Sequence, residues 1–137
     1  MPRILIVEDE SATAWALAES LQEDGHETVT VSTAEEALTS LREQPADLVL
    51  TDLRLPGMSG AQLARRVRGG RRSLPVIVVT AFGSSQVLQE LAECGVHAVF
   101  PKPFRVDQVR RAVRDAIEAV GVGGDGRPGR PGRGSGA

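Results

Sequence analysis

The chain has 137 residues and one cysteine, Cys94, so its length fits a single domain and its cysteine content excludes a disulfide framework or a cysteine-based zinc cluster. Its net charge is −2, and residues 1–120, with 13 basic and 17 acidic side chains, are mildly acidic. This acidic balance, together with only three Phe, one Trp and no Tyr, argues against direct contact with nucleic acid.

Five short apolar runs predict β-strands. Four are continuous, as is typical of parallel strands buried on both faces, whereas the second run alternates and predicts an edge strand. A segment with helical spacing of apolar residues follows each run, and this alternation predicts an α/β fold, a three-layer sandwich with one parallel sheet. The five runs are residues 4–7, 28–31, 48–50, 76–79 and 98–100.

Several residues predict where the helices begin and end. Thr33 with Glu36 three residues later has the pattern of a capping box at the start of the second helix. Gly25 and Gly95 follow the first and fourth helical segments, where glycine commonly ends a helix. We expect the third helix to end before the Gly69–Gly70 pair.

The terminal residues favour a linker over a second domain. The last 17 residues, from Gly121 on, hold 8 of the 15 glycines and lack the apolar residues of a core. We expect a folded domain at 1–120 and a disordered Gly/Pro/Arg tail or linker at 121–137. No apolar run is long enough to cross a bilayer and no secretory leader precedes the first strand, which favours a cytoplasmic protein without membrane contact.

Polar residues follow the predicted strands where their carboxyl ends meet at one sheet edge. Glu8 and Asp9 follow the first strand, Asp52 the third, Thr80 ends the fourth, and Lys102 follows the fifth between two prolines. Three carboxylates with a single lysine repel one another unless a cation joins them, and an all-oxygen set favours Mg²⁺ over zinc or copper. Such a site suits phosphoryl transfer, with Asp52 as a possible nucleophile. No glycine-rich nucleotide loop is present, so the donor is another protein or a small molecule.

With these residues, the chain resembles the response-regulator receiver domains of two-component signalling, of the kind found in chemotaxis regulators. The matching segments lie within residues 3–119, in family order: ILIVEDE, DLVLTDLRLPGMSG, PVIVVTAFG and VFPKPF. The resemblance implies a flavodoxin-like fold with strand order 2-1-3-4-5. It also implies one role for each of six residues. These are Asp52 as phosphoacceptor, Asp9 as a direct Mg²⁺ ligand, Glu8 as a ligand mainly through water, the backbone carbonyl of Arg54 as a further ligand, and Thr80 and Lys102 as contacts of the phosphoryl group.

The chain departs from the family pattern at a switch position. Members usually carry Tyr or Phe three residues before the lysine, but this chain has Val99 there and Phe100 one residue later. Because strand side chains alternate, Phe100 is expected to face the other side of the sheet. We therefore expect the aromatic part of the switch to be missing or altered. Arg54 and Phe82, both bulky, border the path of the attacking water in this family, which predicts slow autodephosphorylation.

The resemblance implies a phosphoacceptor switch, not an enzyme acting on other substrates. Its partner is a histidine kinase or histidine phosphotransfer protein, and its output protein or domain cannot be read from the sequence. An alternative is a phosphorylation-independent pseudo-receiver that acts as an interaction module. A metal-dependent phosphatase is disfavoured because no second carboxylate lies two residues after Asp52.

Two other residues are expected to have packing roles. We expect Cys94 to be a small packing residue and Trp15 to be a half-buried anchor on the first helix.

Overall fold

A computed structural model describes residues 1–70, 74–81 and 84–123. Strands and helices alternate along this part of the chain, and the strands form one parallel sheet in the order β2-β1-β3-β4-β5. The strands are β1 Arg3–Val7, β2 Glu27–Val31, β3 Leu48–Asp52, β4 Val76–Thr80 and β5 Ala98–Pro101. The helices are α1 Ser11–Glu23, α2 Ala34–Glu43, α3 Gly60–Gly70, α4 Ser85–Cys94 and α5 Val106–Gly123.

This architecture confirms the predicted three-layer α/β fold with its flavodoxin-like strand order. Three of the four continuous apolar runs form the interior strands β1, β3 and β4, and β3 and β4 are buried along their whole length. The fourth continuous run forms β5, which lies at one edge of the sheet and is only partly buried, so the prediction that it is buried on both faces was wrong. The alternating run became β2, which lies at the edge of the sheet as predicted. Within the described residues, no helix is both long and apolar enough to cross a membrane.

The described residues form two separate apolar cores, one on each face of the sheet. Leu17 of α1 and Val113 of α5 belong to one core, together with Phe100. Leu63 of α3 and Leu91 of α4 belong to the other, together with the buried alanines of α2. Cys94 packs against this second core, as predicted for a small packing residue.

Local signals predicted most helix ends correctly. The Thr33 hydroxyl accepts a hydrogen bond from Glu36 N at 3.0 Å, and the Glu36 carboxylate accepts one from Thr33 N at 3.2 Å, so the predicted capping box is present. Gly25 and Gly95 have φ angles of 89° and 85°, as left-handed helix ends require. The expected end of α3 was wrong, because the helix continues through Gly69 and ends at Gly70. Glycine lowers helix stability without forbidding a helical turn, and the described surroundings of Gly69 are open space.

Trp15 and the end of α5 differ from what the sequence predicts. Trp15 is 67% exposed, so its prediction as a half-buried anchor was wrong. The buried positions of α1 are Ala14, Leu17 and Leu21, and Trp15 does not share their face of the helix. At the other end, α5 extends to Gly123, into the first residues of the predicted tail. The rest of that tail, residues 124–137, lies outside the described residues.

Candidate functional site

The parallel ladders bring the predicted site residues to one edge of the sheet. Three of the four ladders continue one hydrogen bond beyond their strands. Between β1 and β2, Glu8 N donates to Val31 O at 3.0 Å, and between β3 and β4, Leu53 N donates to Val79 O at 3.2 Å. Lys102 N likewise donates to Thr80 O at 2.7 Å. These bonds hold the residues that follow β1, β3 and β5 level with one another. The carboxyl ends of the strands therefore present their polar side chains together.

Three of these side chains are carboxylates that lie close enough to share one ion. Glu8, Asp9 and Asp52 each offer an oxygen atom, and the three oxygens lie within 4.8 Å of one another. Glu8 and Asp52 are buried, whereas Asp9 is exposed. Buried carboxylates are uncommon in proteins unless they are paired or bind a metal.

Lys102 bridges the two buried carboxylates. Its ammonium Nζ lies 3.0 Å from Glu8 Oε1 and 2.9 Å from Asp52 Oδ2. The second oxygen of each carboxylate accepts a backbone hydrogen bond, from Glu10 N to Glu8 Oε2 at 3.1 Å and from Arg54 N to Asp52 Oδ1 at 3.2 Å. The described contacts therefore satisfy all four oxygens of the buried pair, and only Asp9 faces solvent freely.

Burial and charge shift the pKa values of two of these groups in the same direction. Burial raises the pKa of Glu8, the nearby Asp52 raises it further, and hydrogen bonds from Lys102 and Glu10 N offset part of the rise. Burial alone lowers the pKa of Lys102, but its hydrogen bonds to Asp52 and Glu8, together with the negative charges of these two carboxylates, outweigh burial and raise it. Lys102 is therefore a permanent cation at physiological pH.

The donor set fits a hard divalent cation. Glu8, Asp9 and Asp52 with Lys102 carry a formal charge of −2, which one divalent cation balances. The ligand atoms are all oxygens, which suits Mg²⁺ and not a metal that prefers nitrogen or sulfur. Asp9 and Arg54 line one side of an open groove of about 910 Å³ that continues between α3 and α4. This groove gives the exposed side of the carboxylates access to solvent.

The loop after β3 is shaped by a close backbone approach. Gly60, the first residue of α3, donates its N–H to Leu53 O at 2.8 Å. A Cβ atom on Gly60 would lie 2.1 Å from Asp52 O and 2.8 Å from Leu53 Cα, so no larger residue fits without moving the backbone. Sequence analysis did not identify the role of Glu35, whose Oε2 accepts a hydrogen bond from Met58 N at 3.1 Å. This bond has no local sequence signal, because it joins residues distant along the chain.

The residues beside Thr80 form an apolar groove. Thr80 is buried at the end of β4, and Val99 lies on the neighbouring strand β5. Val99 packs with the core beneath α2, α3 and α4, whereas Phe100 packs with the core beneath α1 and α5. This confirms the predicted facing of Phe100. A groove of about 570 Å³ runs between α4 and β5, lined by Thr80, Val99 and small or aliphatic side chains. Phe82, the other residue predicted to border the water path, lies outside the described residues.

A comparison with known families identifies the chain. The model of the family described as "Response regulator receiver domain" matches residues 4–114. The chain belongs to this family. A curated relative, Sporulation initiation phosphotransferase F of Bacillus subtilis (strain 168), is 34% identical over 82% of this chain and 90% of its own length. The Two-component response regulator PhoP of Pseudomonas aeruginosa is 38% identical over 78% of this chain.

Solved structures agree with this assignment. A CheY-like response regulator receiver domain protein from Methanospirillum hungatei JF-1 superimposes with a TM-score of 0.85 at 25% identity, covering 89% of this chain and 98% of that one. The signal receiver domain of a histidine kinase from Syntrophus aciditrophicus gives a TM-score of 0.81 at 30% identity, covering 88% of this chain and 92% of that one. The receiver spans only 48% of PhoP and 24% of the response regulator FleR of Pseudomonas aeruginosa, both longer proteins.

Proposed function

We propose that this receiver is a phosphoacceptor switch in a two-component phosphorelay. Asp52 takes a phosphoryl group from a partner histidine kinase or histidine phosphotransfer protein, with Mg²⁺ as cofactor, and the altered surface acts on an output partner. The observation that carries the proposal is the set of three carboxylates within 4.8 Å with Lys102 Nζ 2.9 Å from Asp52 Oδ2. Catalysis by the receiver is then limited to its own phosphorylation and dephosphorylation.

Each ligand residue has a role that fits its environment. The exposed Asp9 binds Mg²⁺ directly, since its oxygens are open to solvent. Glu8, both of whose oxygens accept hydrogen bonds, contributes mainly through water, as the resemblance to the family implies. Asp52 and the backbone carbonyl of Arg54 complete the protein ligands. Mg²⁺, when bound, offsets the negative charge on the oxygens of the transferred group.

The transfer step uses Asp52 as the nucleophile. A carboxylate oxygen of Asp52 forms a bond to phosphorus while the P–N bond of the donor phosphohistidine breaks, and the electron pair of that bond leaves with the imidazole. Lys102 exchanges its contact with Asp52 Oδ2 for one with a phosphoryl oxygen. The Thr80 hydroxyl donates a hydrogen bond to another phosphoryl oxygen. Both contacts favour the charge distribution of the phosphorylated state.

The response of the output surface depends on Val99. The groove beside Val99 contains no aromatic side chain among its described lining residues, and Phe100 packs on the opposite face of the sheet. We therefore propose that phosphorylation reaches the surface of α4 and β5 by backbone movement of the loops after β4 and β5. Crystal structures with and without a phosphoryl mimic test this. A rotation of Phe100 toward Thr80 would contradict it.

Intact mass after incubation with acetyl phosphate and Mg²⁺ tests the function directly. We expect a gain of about 80 Da, one phosphoryl group, that requires both the metal and Asp52. Asp52→Ala removes the acceptor, and Asp47→Asn, at the exposed residue just before β3, is the control that keeps it. A folded wild-type protein without an adduct would favour the pseudo-receiver alternative. Turnover of a generic phosphomonoester would instead favour a phosphatase.

The lifetime of the phosphorylated state is a second test. The exposed Arg54 lies beside Asp52 and lines the groove through which water reaches the site. Its bulk is expected to slow hydrolysis of the phosphoryl group, so Arg54→Ala should shorten the half-life measured from the decay of the phosphorylated mass. A wild-type half-life of seconds, unchanged in Arg54→Ala, would contradict this expectation.

A further inference from the structure

The first turn of α2 joins the loop after β2 to the loop after β3. Glu36 Oε1 accepts hydrogen bonds from Ser32 N at 2.9 Å and from Thr33 N at 3.2 Å, which ties α2 to the end of β2. The adjacent Glu35 Oε2 accepts a hydrogen bond from Met58 N at 3.1 Å, which ties the same turn to the loop after β3. Two consecutive glutamates therefore hold two different loops.

The contact of Glu35 is closely fitted to the loop. Gly57 has a φ of +76°, and a Cβ atom there would lie 2.8 Å from Glu35 Oε2. Glycine thus allows both the left-handed turn and the close approach of the carboxylate. Met58 itself packs against the core beneath α2 and α3, so its backbone is held from the interior and from the surface.

This loop carries the groups that adjoin the phosphoacceptor. Arg54 N donates to Asp52 Oδ1 at 3.2 Å, and Gly60 closes the loop with its bond to Leu53 O at 2.8 Å. The Arg54 carbonyl is one of the proposed Mg²⁺ ligands. Met58 therefore lies in the loop between Arg54, which binds the Asp52 side chain, and Gly60, which binds the Leu53 backbone, so a change at Met58 alters the loop that joins these two contacts.

Resting on the proposed function, we propose that Glu35 is a positioning residue that holds the Gly57–Met58 turn and thereby sets the Mg²⁺ affinity of the site. It acts through the loop and does not contact the metal. The hydrogen bond, not the charge of Glu35, carries this role, because a backbone N–H donates to the carboxylate oxygen. The Glu35→Gln side chain keeps an oxygen acceptor, whereas Glu35→Ala removes it.

Two measurements test the proposal. Calorimetric titration with Mg²⁺ should show that Glu35→Ala weakens binding by roughly threefold to tenfold, a smaller loss than the about 10- to 100-fold typical when a direct partner of a ligand is removed. Amide hydrogen exchange in the metal-free protein should show faster exchange at Met58 N in the same variant. Glu35→Gln should match the wild type in both. The control for the lost charge is Glu43→Ala, which replaces an exposed glutamate at the other end of α2. This substitution should leave both the Mg²⁺ affinity and the exchange at Met58 N unchanged.

Other outcomes would overturn the inference. Wild-type Mg²⁺ affinity in Glu35→Ala would show that the loop is set without Glu35. Equal weakening in Glu35→Ala and Glu35→Gln, or in Glu43→Ala, would show an effect of charge and not of the hydrogen bond. A wild-type protein that binds no Mg²⁺ would contradict the proposed function instead, and unchanged exchange at Met58 in Glu35→Ala would then still refute the role of Glu35 in holding the loop.

Discussion

The two ends of the parallel sheet both carry charged residues, but they bury them differently. At the amino end, Arg3 of β1 pairs with Glu27 of β2, whose side chain is 50% exposed. At the carboxyl end, Lys102 pairs with Glu8 and Asp52, whose side chains are 1% and 8% exposed. At the carboxyl end, Lys102 thus pairs with two buried carboxylates at once. At the amino end, Arg3 pairs with one carboxylate that water still reaches.

The buried carboxylates at the carboxyl end lower the stability of the fold at the place where the proposed chemistry needs them. Removing a carboxylate from water costs free energy that one shared cation recovers only in part. The amino end avoids that cost because water still solvates Glu27. Groups with shifted pKa values often mark functional sites, and Glu8 and Lys102, whose pKa values are both raised, lie at the end of the sheet that holds the proposed phosphoryl site. We therefore expect substitutions of comparable size to have large effects at the carboxyl end and small effects at the amino end.

Gly60→Ala should have the largest effect on stability. Its Cβ atom would lie 2.1 Å from Asp52 O, and the backbone there cannot move without disturbing β3 and the ladder to β4. We expect the free energy of unfolding to fall by about 3 kcal/mol, as for a severe case of overpacking. Urea denaturation measures this. Gly69→Ala is the matched control in the same helix, since nothing lies within 4 Å of its Cβ position. It should gain about 0.5 kcal/mol from helix propensity, and a loss below about 1 kcal/mol in Gly60→Ala would contradict the close approach.

Lys102→Met should have the next largest effect. It keeps the length of the side chain but leaves Glu8 and Asp52 buried without their shared cation. We expect a loss of about 2 kcal/mol at neutral pH without Mg²⁺, below the usual range for a broken buried pair because Lys102 keeps some contact with solvent. The double variant Lys102→Met, Glu8→Gln should lose less than the single variant, because one of the uncompensated charges is gone. Additive effects of the two substitutions would show that Lys102 does not couple to Glu8.

Features that depend on residues close together in the chain were predicted from the sequence. The capping box of Thr33 and Glu36 and the glycine at the end of α4 were predicted correctly, because each depends on residues within one turn. The facing of Val99 and Phe100 follows from the two-residue period of a strand and was also predicted. The convergence at the carboxyl edge needed only the parallel order of the strands.

What escaped prediction depends on contacts between distant residues. Sequence analysis expected Lys102 to contact the phosphoryl group, but not that it bridges Glu8 and Asp52, which lie 94 and 50 residues away. The bond of Glu35 to Met58 spans 23 residues and has no motif. The exposure of Trp15 was mispredicted because the prediction depended on its hydrophobicity and not on its position, which lies outside the α1 face of Ala14, Leu17 and Leu21.

Glu27→Gln tests the amino end. The substitution removes the charge that pairs with Arg3 and keeps the size of the side chain. An exposed pair contributes little, so we expect a loss of about 0.5 kcal/mol or less, shrinking further at high ionic strength. Urea denaturation at low and high salt measures both quantities. A loss as large as that of Lys102→Met would remove the distinction between the two ends of the sheet.

His26, just before β2, provides the smallest and most specific test at the amino end. Within the described residues, its Nδ1 is buried without a hydrogen-bond partner. Burial lowers the pKa of His26 below its usual value of 6.5, and the carboxylate of Asp24 opposes the shift only in part. The unfolded chain therefore takes up a proton at a higher pH than the folded protein does. The contribution of the neutral His26 ring to the free energy of unfolding should be complete above pH 6.5. It should decline as the pH falls from there toward the pKa of His26 in the folded protein.

His26→Gln removes this proton uptake, so the free energy of unfolding of the variant should fall less than that of the wild type between about pH 7.5 and about pH 5.5. Subtracting the variant from the wild type cancels the titration of Glu8, which both proteins share and which acts in the opposite direction because its pKa is raised. Asp24, whose pKa the Arg110 side chain lowers, titrates only at more acidic pH. An equal pH dependence of the free energy of unfolding in the two proteins would show that water solvates the His26 ring in the folded protein. His26 would then not be a buried titratable group, unlike Glu8 at the carboxyl end.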